Sequence, residues 1–196
     1  TLPITAVQIL WVNMITAVSL GLALAFEPAE PDAMRRAPRP PGEGLLTGFL
    51  VRRVLLVSAL LVAAGVGLFL WEISRGESVE AARTLVVNLL VMGELVYLFN
   101  SRHLSAPSLR WSVLTENPVA LLAAAALVGL QLAFTYLPVM QGLFGTAGLD
   151  LDAWARVLAC GGLLFLVIEA EKWIQRRRAP VVHARPVAHR EGRAAG

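Results

Sequence analysis

Five apolar blocks alternate with polar stretches along the chain, at about residues 4–26, 49–71, 82–100, 119–137 and 153–173. Each holds roughly 19 to 23 residues, and as helix at about 1.5 Å per residue that length crosses a hydrocarbon core of about 30 Å. A helix on a water-soluble core would instead carry a narrow apolar stripe with polar residues at every turn. The pattern therefore predicts an all-α fold, an integral membrane bundle of five transmembrane helices. The breaks are chemically marked. Pro3 precedes the first block, where a missing N–H costs little, and Asn117-Pro118 opens the fourth. Trp71 closes the second block, as an interfacial aromatic belt favours. Glu27 to Gly44 contains five prolines and two glycines and predicts a polar connector. Shorter loops are predicted around Glu72, Glu77 and Glu80, over residues 100–117, and from Pro138 to Asp152. Residues 1–178 thus form the membrane domain. Residues 179–196, rich in Pro, Arg and His, are predicted to be a disordered basic tail, with too little apolar surface to offset the entropy of ordering.

Composition agrees with this division. Hydrophobic residues make up 57% of the 196 and charged residues 16%, well under the roughly 25% charged of a soluble domain. Basic residues set the orientation. The first connector and the start of the second block carry Arg35, Arg36, Arg39, Arg52 and Arg53, and the third connector carries Arg102 and Arg110. The end of the fifth block and the tail carry Lys172, Arg176, Arg177, Arg178, Arg185, Arg190 and Arg193. Only Arg75, Arg83 and Arg156 fall on the other side, against 14 of the 17 Lys and Arg residues on this one. The expected topology is a multi-pass protein of the cell membrane with Thr1 outside and the C-terminus cytoplasmic. The net charge of +3 is then a topology signal. It gives no ground for nucleic-acid binding, since no binding fold accompanies the basic residues. The chain starts at Thr1 with no basic segment ahead of the first block, so that block reads as a span rather than a signal peptide, and the start as a cut within a longer polypeptide. One cysteine, Cys160, lies inside an apolar block and reads as a small buried hydrophobe.

Polar residues inside the blocks are the candidates for function. Glu94 lies about three residues from the centre of the third block, or roughly 4.5 Å along a helix axis. An acid at such depth costs about 2.5–3.5 kcal/mol on insertion scales, and such residues face a bundle interior, a wet cavity or an ion path. The plainer alternative is a neutral carboxyl bonding a neighbouring helix. Asn13 and Thr16 share a side of the first block by their i, i+3 spacing and offer the oxygen ligands that hard cations take. Interhelical hydrogen bonding is the structural alternative for them, and it is the expectation for Thr84 and Asn88. Glu169, Glu171 and Lys172 read as an ion pair at a helix end, and Arg52 and Arg53 as side chains that snorkel to the inner surface. Gly65, Gly67, Gly161 and Gly162 permit close helix approach. His103, His183 and His189 fall in polar stretches, and no phosphate loop, dinucleotide fingerprint or metal-spaced His pair occurs.

The stretch Val7-Gln8-Ile9-Leu10-Trp11-Val12-Asn13-Met14-Ile15-Thr16 resembles the sixth transmembrane helix of calcium-pump-like P-type ATPases. Phe26-Glu27-Pro28, Asp32-Ala33-Met34, Arg35-Arg36 and Pro38 resemble the connector that follows it. Glu94 followed by Asn100-Ser101 resembles the eighth helix, and Glu169 to Trp173 the end of the tenth. The resemblance covers about residues 1–178 and implies helices six to ten of such a pump. It implies that Asn13, Thr16 and Glu94 fall at cation-coordinating positions. The family pattern after the threonine is Asp-Gly-Leu-Pro, whereas here it is Ala17-Val18-Ser19-Leu20. The loss of that carboxylate lowers the charge of the implied site and its affinity for a divalent ion. A monovalent ion, protons or a different geometry stay open beside calcium.

The resemblance further implies a transported cation, the lipid bilayer and the remainder of the pump as partners. It implies ATP and Mg2+ as cofactors of the intact pump and none for this segment. No Asp-Lys-Thr-Gly-Thr phosphorylation motif is present, so this chain alone is expected not to hydrolyse ATP. Phosphorylation elsewhere would switch helix packing and expose the three residues to each side in turn. The competing expectation is a stand-alone five-span membrane protein, either a channel or permease subunit or a structural subunit.

Overall fold

The computed structural model describes residues 1–26, 48–101 and 117–178, and among them it contains helices and no strand. In chain order these are α1 (Ala6–Ala25), α2 (Gly48–Ser74), α3 (Val79–Ser101), α4 (Pro118–Tyr136), the short α5 (Pro138–Phe144) and α6 (Leu151–Arg178). All but α5 are long and apolar enough to cross a membrane, which gives the five spans that the apolar blocks predict.

Local chemistry sets most of the boundaries. The Thr5 side chain accepts from the Gln8 N–H at 3.3 Å, and the Gln8 side chain accepts from the Thr5 N–H at 3.0 Å. This reciprocal pair satisfies two of the donors that a helix start leaves open. Asn117 caps α4 by accepting from the Ala120 N–H at 3.0 Å, with Pro118 in the first turn. Asp150 caps α6 by accepting from the Ala153 N–H at 2.7 Å. Pro138 ends α4, because it forces the preceding Leu137 into an extended conformation, and then opens α5 with its own fixed φ. Gly145, at φ +61°, closes α5 in the left-handed conformation that costs glycine least.

The central element is α3, which packs against α1, α2, α4 and α6, while α1 packs mainly against α4. Its buried residues include Leu85, Val87, Leu89 and Leu98, together with Asn88 and Thr84. Leu10, Leu55, Leu122, Leu163 and Leu166 point outward, giving an apolar outer surface suited to lipid or to further helices. Close approach of α6 to α3 requires Gly161, where an added Cβ would lie 2.7 Å from Met92 Cγ. Gly93 of α3 lies against Leu61 of α2 in the same way. Gly67 and Gly162 have open space beside them, so the expectation of tight packing holds at Gly161 and not at those two.

The helices also extend beyond the apolar blocks. α2 continues past Trp71 to Ser74, which places Glu72 inside the helix, and α6 continues past Trp173 through the basic run to Arg178. Backbone hydrogen bonding carries a helix beyond the hydrocarbon, and polar residues end the block before they end the helix. Residues 138–152 hold α5 where a plain loop is expected; its seven residues are too few to show a helical period. The first connector, residues 102–116 and the tail lie outside the described residues, as do the readings that fall on them.

Candidate functional site

The structure brings Thr16 of α1 and Glu94 of α3 together. Thr16 is buried between α1 and α3, and the Glu94 carboxyl lies beside its hydroxyl. The Thr16 hydroxyl also lies 2.7 Å from the Val12 carbonyl oxygen, one turn back on α1. The second carboxyl oxygen of Glu94, Oε2, is buried and has no partner among the described residues. The hydroxyl has one proton, and with that proton on the Val12 carbonyl the buried Oε2 of Glu94 is left without a donor. An excess of acceptor oxygens over donors, inside a membrane bundle, is electrostatically incomplete.

Asn13 does not join this junction. Its side chain lies on the exposed side of α1 with Leu10, Met14 and Ala17, whereas Trp11, Val12, Ile15 and Thr16 face the bundle. An i, i+3 spacing leaves residues about 60° apart around a helix at 3.6 residues per turn. The edge of the α1 contact runs between the two. Among the described residues no group of three His, Cys, Asp or Glu side chains lies close enough to hold a metal ion. A cation at this junction would be met by one carboxylate and neutral oxygens.

Toward the α5 end of the bundle the interior is tied by neutral hydrogen bonds. Trp11 stacks on Phe134 at 5.6 Å and packs against Phe144 at 5.1 Å, and its indole N–H donates to Gln131 Oε1 at 3.4 Å. Gln8 Nε2 donates to the Phe144 carbonyl at 3.0 Å, fixing α5 to the start of α1. Asn88 Nδ2 donates to the Thr84 carbonyl and to Thr135 Oγ1, and Thr84 Oγ1 accepts from the Ala147 N–H at 3.0 Å. The structural expectation for Thr84 and Asn88 is met. Gln8, Gln131 and Thr135 escaped the sequence reading, although the rule that singled out Asn88 applies to Gln131, a lone amide within an apolar block.

The opposite end carries a charge cluster. Arg53 of α2 is fully buried and its Nε donates to Glu171 Oε2 of α6 at 3.1 Å. Lys172 is buried beside it, with Nζ donating to the Asn100 carbonyl of α3 at 2.6 Å and to Glu169 Oε1 at 3.1 Å. Lysine at the last turn of α3 also complements the helix dipole. The expected ion pair at the end of α6 is present. Arg52 is exposed, with its guanidinium 3.9 Å from Glu171, as a snorkelling side chain would be. Arg53 departs from that expectation because α6 offers it a buried carboxylate.

Fold and site together define a multi-pass α-helical membrane domain with an acidic, oxygen-rich junction between two of its spans. A family model described as "Cation transporting ATPase, C-terminus" matches residues 1–174. The chain belongs to the cation-transporting ATPase family, of which it carries the C-terminal membrane region. It is 44% identical over 178 residues to the "Probable cation-transporting ATPase F" of Mycobacterium tuberculosis, covering 91% of this chain and 20% of that protein. It is 36% identical over 159 residues to the "Cation-transporting ATPase pma1" of Synechocystis, covering 79% of this chain and 18% of that one. A "Calcium-transporting ATPase" of Bacillus subtilis is 29% identical over 167 residues, or 83% of this chain and 18% of the relative. The chain thus spans about a fifth of the length of the relatives it matches.

Proposed function

We propose that this chain supplies the transport-path half of an ATP-driven cation pump, and that Glu94 and Thr16 form part of the cation site. The observation that carries the reading is the donor deficit at the α1–α3 junction. A buried carboxyl oxygen without a partner, beside a hydroxyl already committed to a carbonyl, is an arrangement that an arriving cation completes. Asn13 joins the site from the open side of α1, where the remaining helices of the pump would close over it. ATP and Mg2+ act on the parts of the pump outside this chain, and phosphorylation there alters how those helices press on α1. The C-terminus lies on the cytoplasmic side, as the distribution of Lys and Arg supports.

With Ala17 in place of the family's aspartate, the chain contributes one carboxylate, at Glu94, and the site favours fewer or less highly charged ions than a calcium site does. The test is ATPase activity of the intact pump against a panel of mono- and divalent cations. Glu94→Gln is expected to lower cation-dependent turnover and to raise the ion concentration needed for half-maximal activity. Thr16→Val and Asn13→Ala are expected to shift the same ion dependence by less. Turnover and ion dependence unchanged by Glu94→Gln across the panel would refute the reading.

A further inference from the structure

A small pocket with mainly apolar walls, separate from the Glu94 junction, lies between α3, α4 and α6 in the half of the span nearer α5. It has a volume of about 50 Å³ and is lined chiefly by Asn88, Val91, Met92, Leu95, Gln131 and Trp154. Two polar atoms on its lining residues are buried and without partners, Asn88 Oδ1 and Gln131 Nε2. Their residues are only 2% and 4% exposed, so bulk solvent does not satisfy them.

The hydrogen bonds around the pocket fix which end of each amide is left over. Asn88 Nδ2 donates to the Thr84 carbonyl at 2.9 Å and to Thr135 Oγ1 at 3.0 Å, which uses both amide protons. Thr135 Oγ1 gives its own proton to the Gln131 carbonyl at 2.9 Å, so it is an acceptor toward Asn88. Reversing Asn88 would set an oxygen against the Thr84 carbonyl. Trp11 Nε1 is a donor only, so the Gln131 atom facing it must be the oxygen. One bare acceptor and one bare donor therefore sit on residues that line the same small pocket. A bare cation suits the Asn88 oxygen and is repelled by the Gln131 N–H, an anion has the reverse conflict, and a lipid methylene answers neither. Water donates and accepts, and the volume exceeds the roughly 10–15 Å³ that one molecule requires.

We propose that this pocket is a buried water site, holding at least one molecule that donates to Asn88 Oδ1 and accepts from Gln131 Nε2. The water bridges α3 to α4 at membrane depth. Through Asn88, Thr135 and Thr84 it is continuous with the hydrogen bonds that reach Ala147 in the loop after α5.

The pocket lining contains its own reporter. Brief X-ray irradiation splits water into hydroxyl radicals that oxidise methionine beside the water from which they form, and mass spectrometry reads the product. In the full-length pump in lipid nanodiscs, Met92 reports the pocket, the methionine of a Leu122→Met variant the outward apolar side of α4, and Met140 the α5 end. Met92 is expected to oxidise several-fold faster than the methionine of Leu122→Met and at a rate approaching that of Met140. Asn88→Leu fills the acceptor wall and is expected to return Met92 to the rate of the methionine of Leu122→Met. Where that variant fails to assemble, Gln131→Leu removes the donor from the opposite wall and must give the same loss. Met92 as slow as the methionine of Leu122→Met, in a pump otherwise unmodified, overturns the proposal. So does fast oxidation of Met92 that survives in a folded variant.

Discussion

Replacing Arg53 by methionine tests how the charge cluster holds α2, α3 and α6 together. Arg53 is 0% exposed and Glu171 is 6% exposed, so the pair at 3.1 Å is shielded from solvent. Removing the guanidinium leaves the Glu171 carboxylate inside the bundle with Arg52 as its nearest remaining cation on α2. That side chain is 64% exposed and 3.9 Å away. An exposed pair of this kind contributes about 0–1 kcal/mol, whereas breaking a buried pair costs about 3–5 kcal/mol. The net loss is therefore about 2–5 kcal/mol. Arg53→Met together with Glu171→Met removes both charges of the pair, so neither is buried without the other, and the double variant is expected near the unmodified protein or above it. The midpoint of thermal loss of the folded pump, followed by size-exclusion chromatography in detergent, ranks the three proteins. The expected order puts the single variant well below the other two, a coupling that independent sites do not show. A single variant as stable as the unmodified protein, or a double variant less stable than the single, would refute the reasoning.

Two further outcomes follow from packing and topology. Gly161→Ala is expected to destabilise the bundle by about 1–3 kcal/mol, because its new methyl meets the middle of the Met92 side chain. The adjacent Gly162→Ala has open space and is expected to be near neutral, and the same thermal assay separates the two. A cysteine at Glu77, in the turn between α2 and α3, is expected to react with a membrane-impermeant maleimide from outside intact cells. A cysteine in the tail at Ala195 is expected to react only after the membrane is opened, and the reverse pattern would invert the proposed orientation.

The five spans were legible because the bilayer demands a long run of apolar residues, a requirement that composition alone displays. The seven residues of α5 were not, since about two proline-initiated turns leave no period to read. Glu94 was conspicuous as an acid among hydrocarbon residues, but its meeting with Thr16 depends on how α1 rotates against α3. That rotation also leaves Asn13 outside the contact, which a shared i, i+3 spacing does not reveal. Arg53 was misread because the bias of basic residues reports which side of the membrane they occupy and not what they touch. The partner that turns it inward, Glu171, lies 118 residues away. The aromatic stack of Trp11, Phe134 and Phe144 was hidden for the same reason, being assembled from three helices.

The central claim is that the unsatisfied carboxyl between α1 and α3 takes part in holding the transported ion. Equilibrium binding of radioactive cations to the purified intact pump, without ATP, measures this apart from any effect on phosphorylation. The account predicts saturable binding of at least one cation that Glu94→Gln weakens about tenfold or more, the change expected from losing roughly 1.4 kcal/mol of ion contact. Binding of every cation with the same affinity and the same number of ions per pump in the Glu94→Gln protein would contradict it.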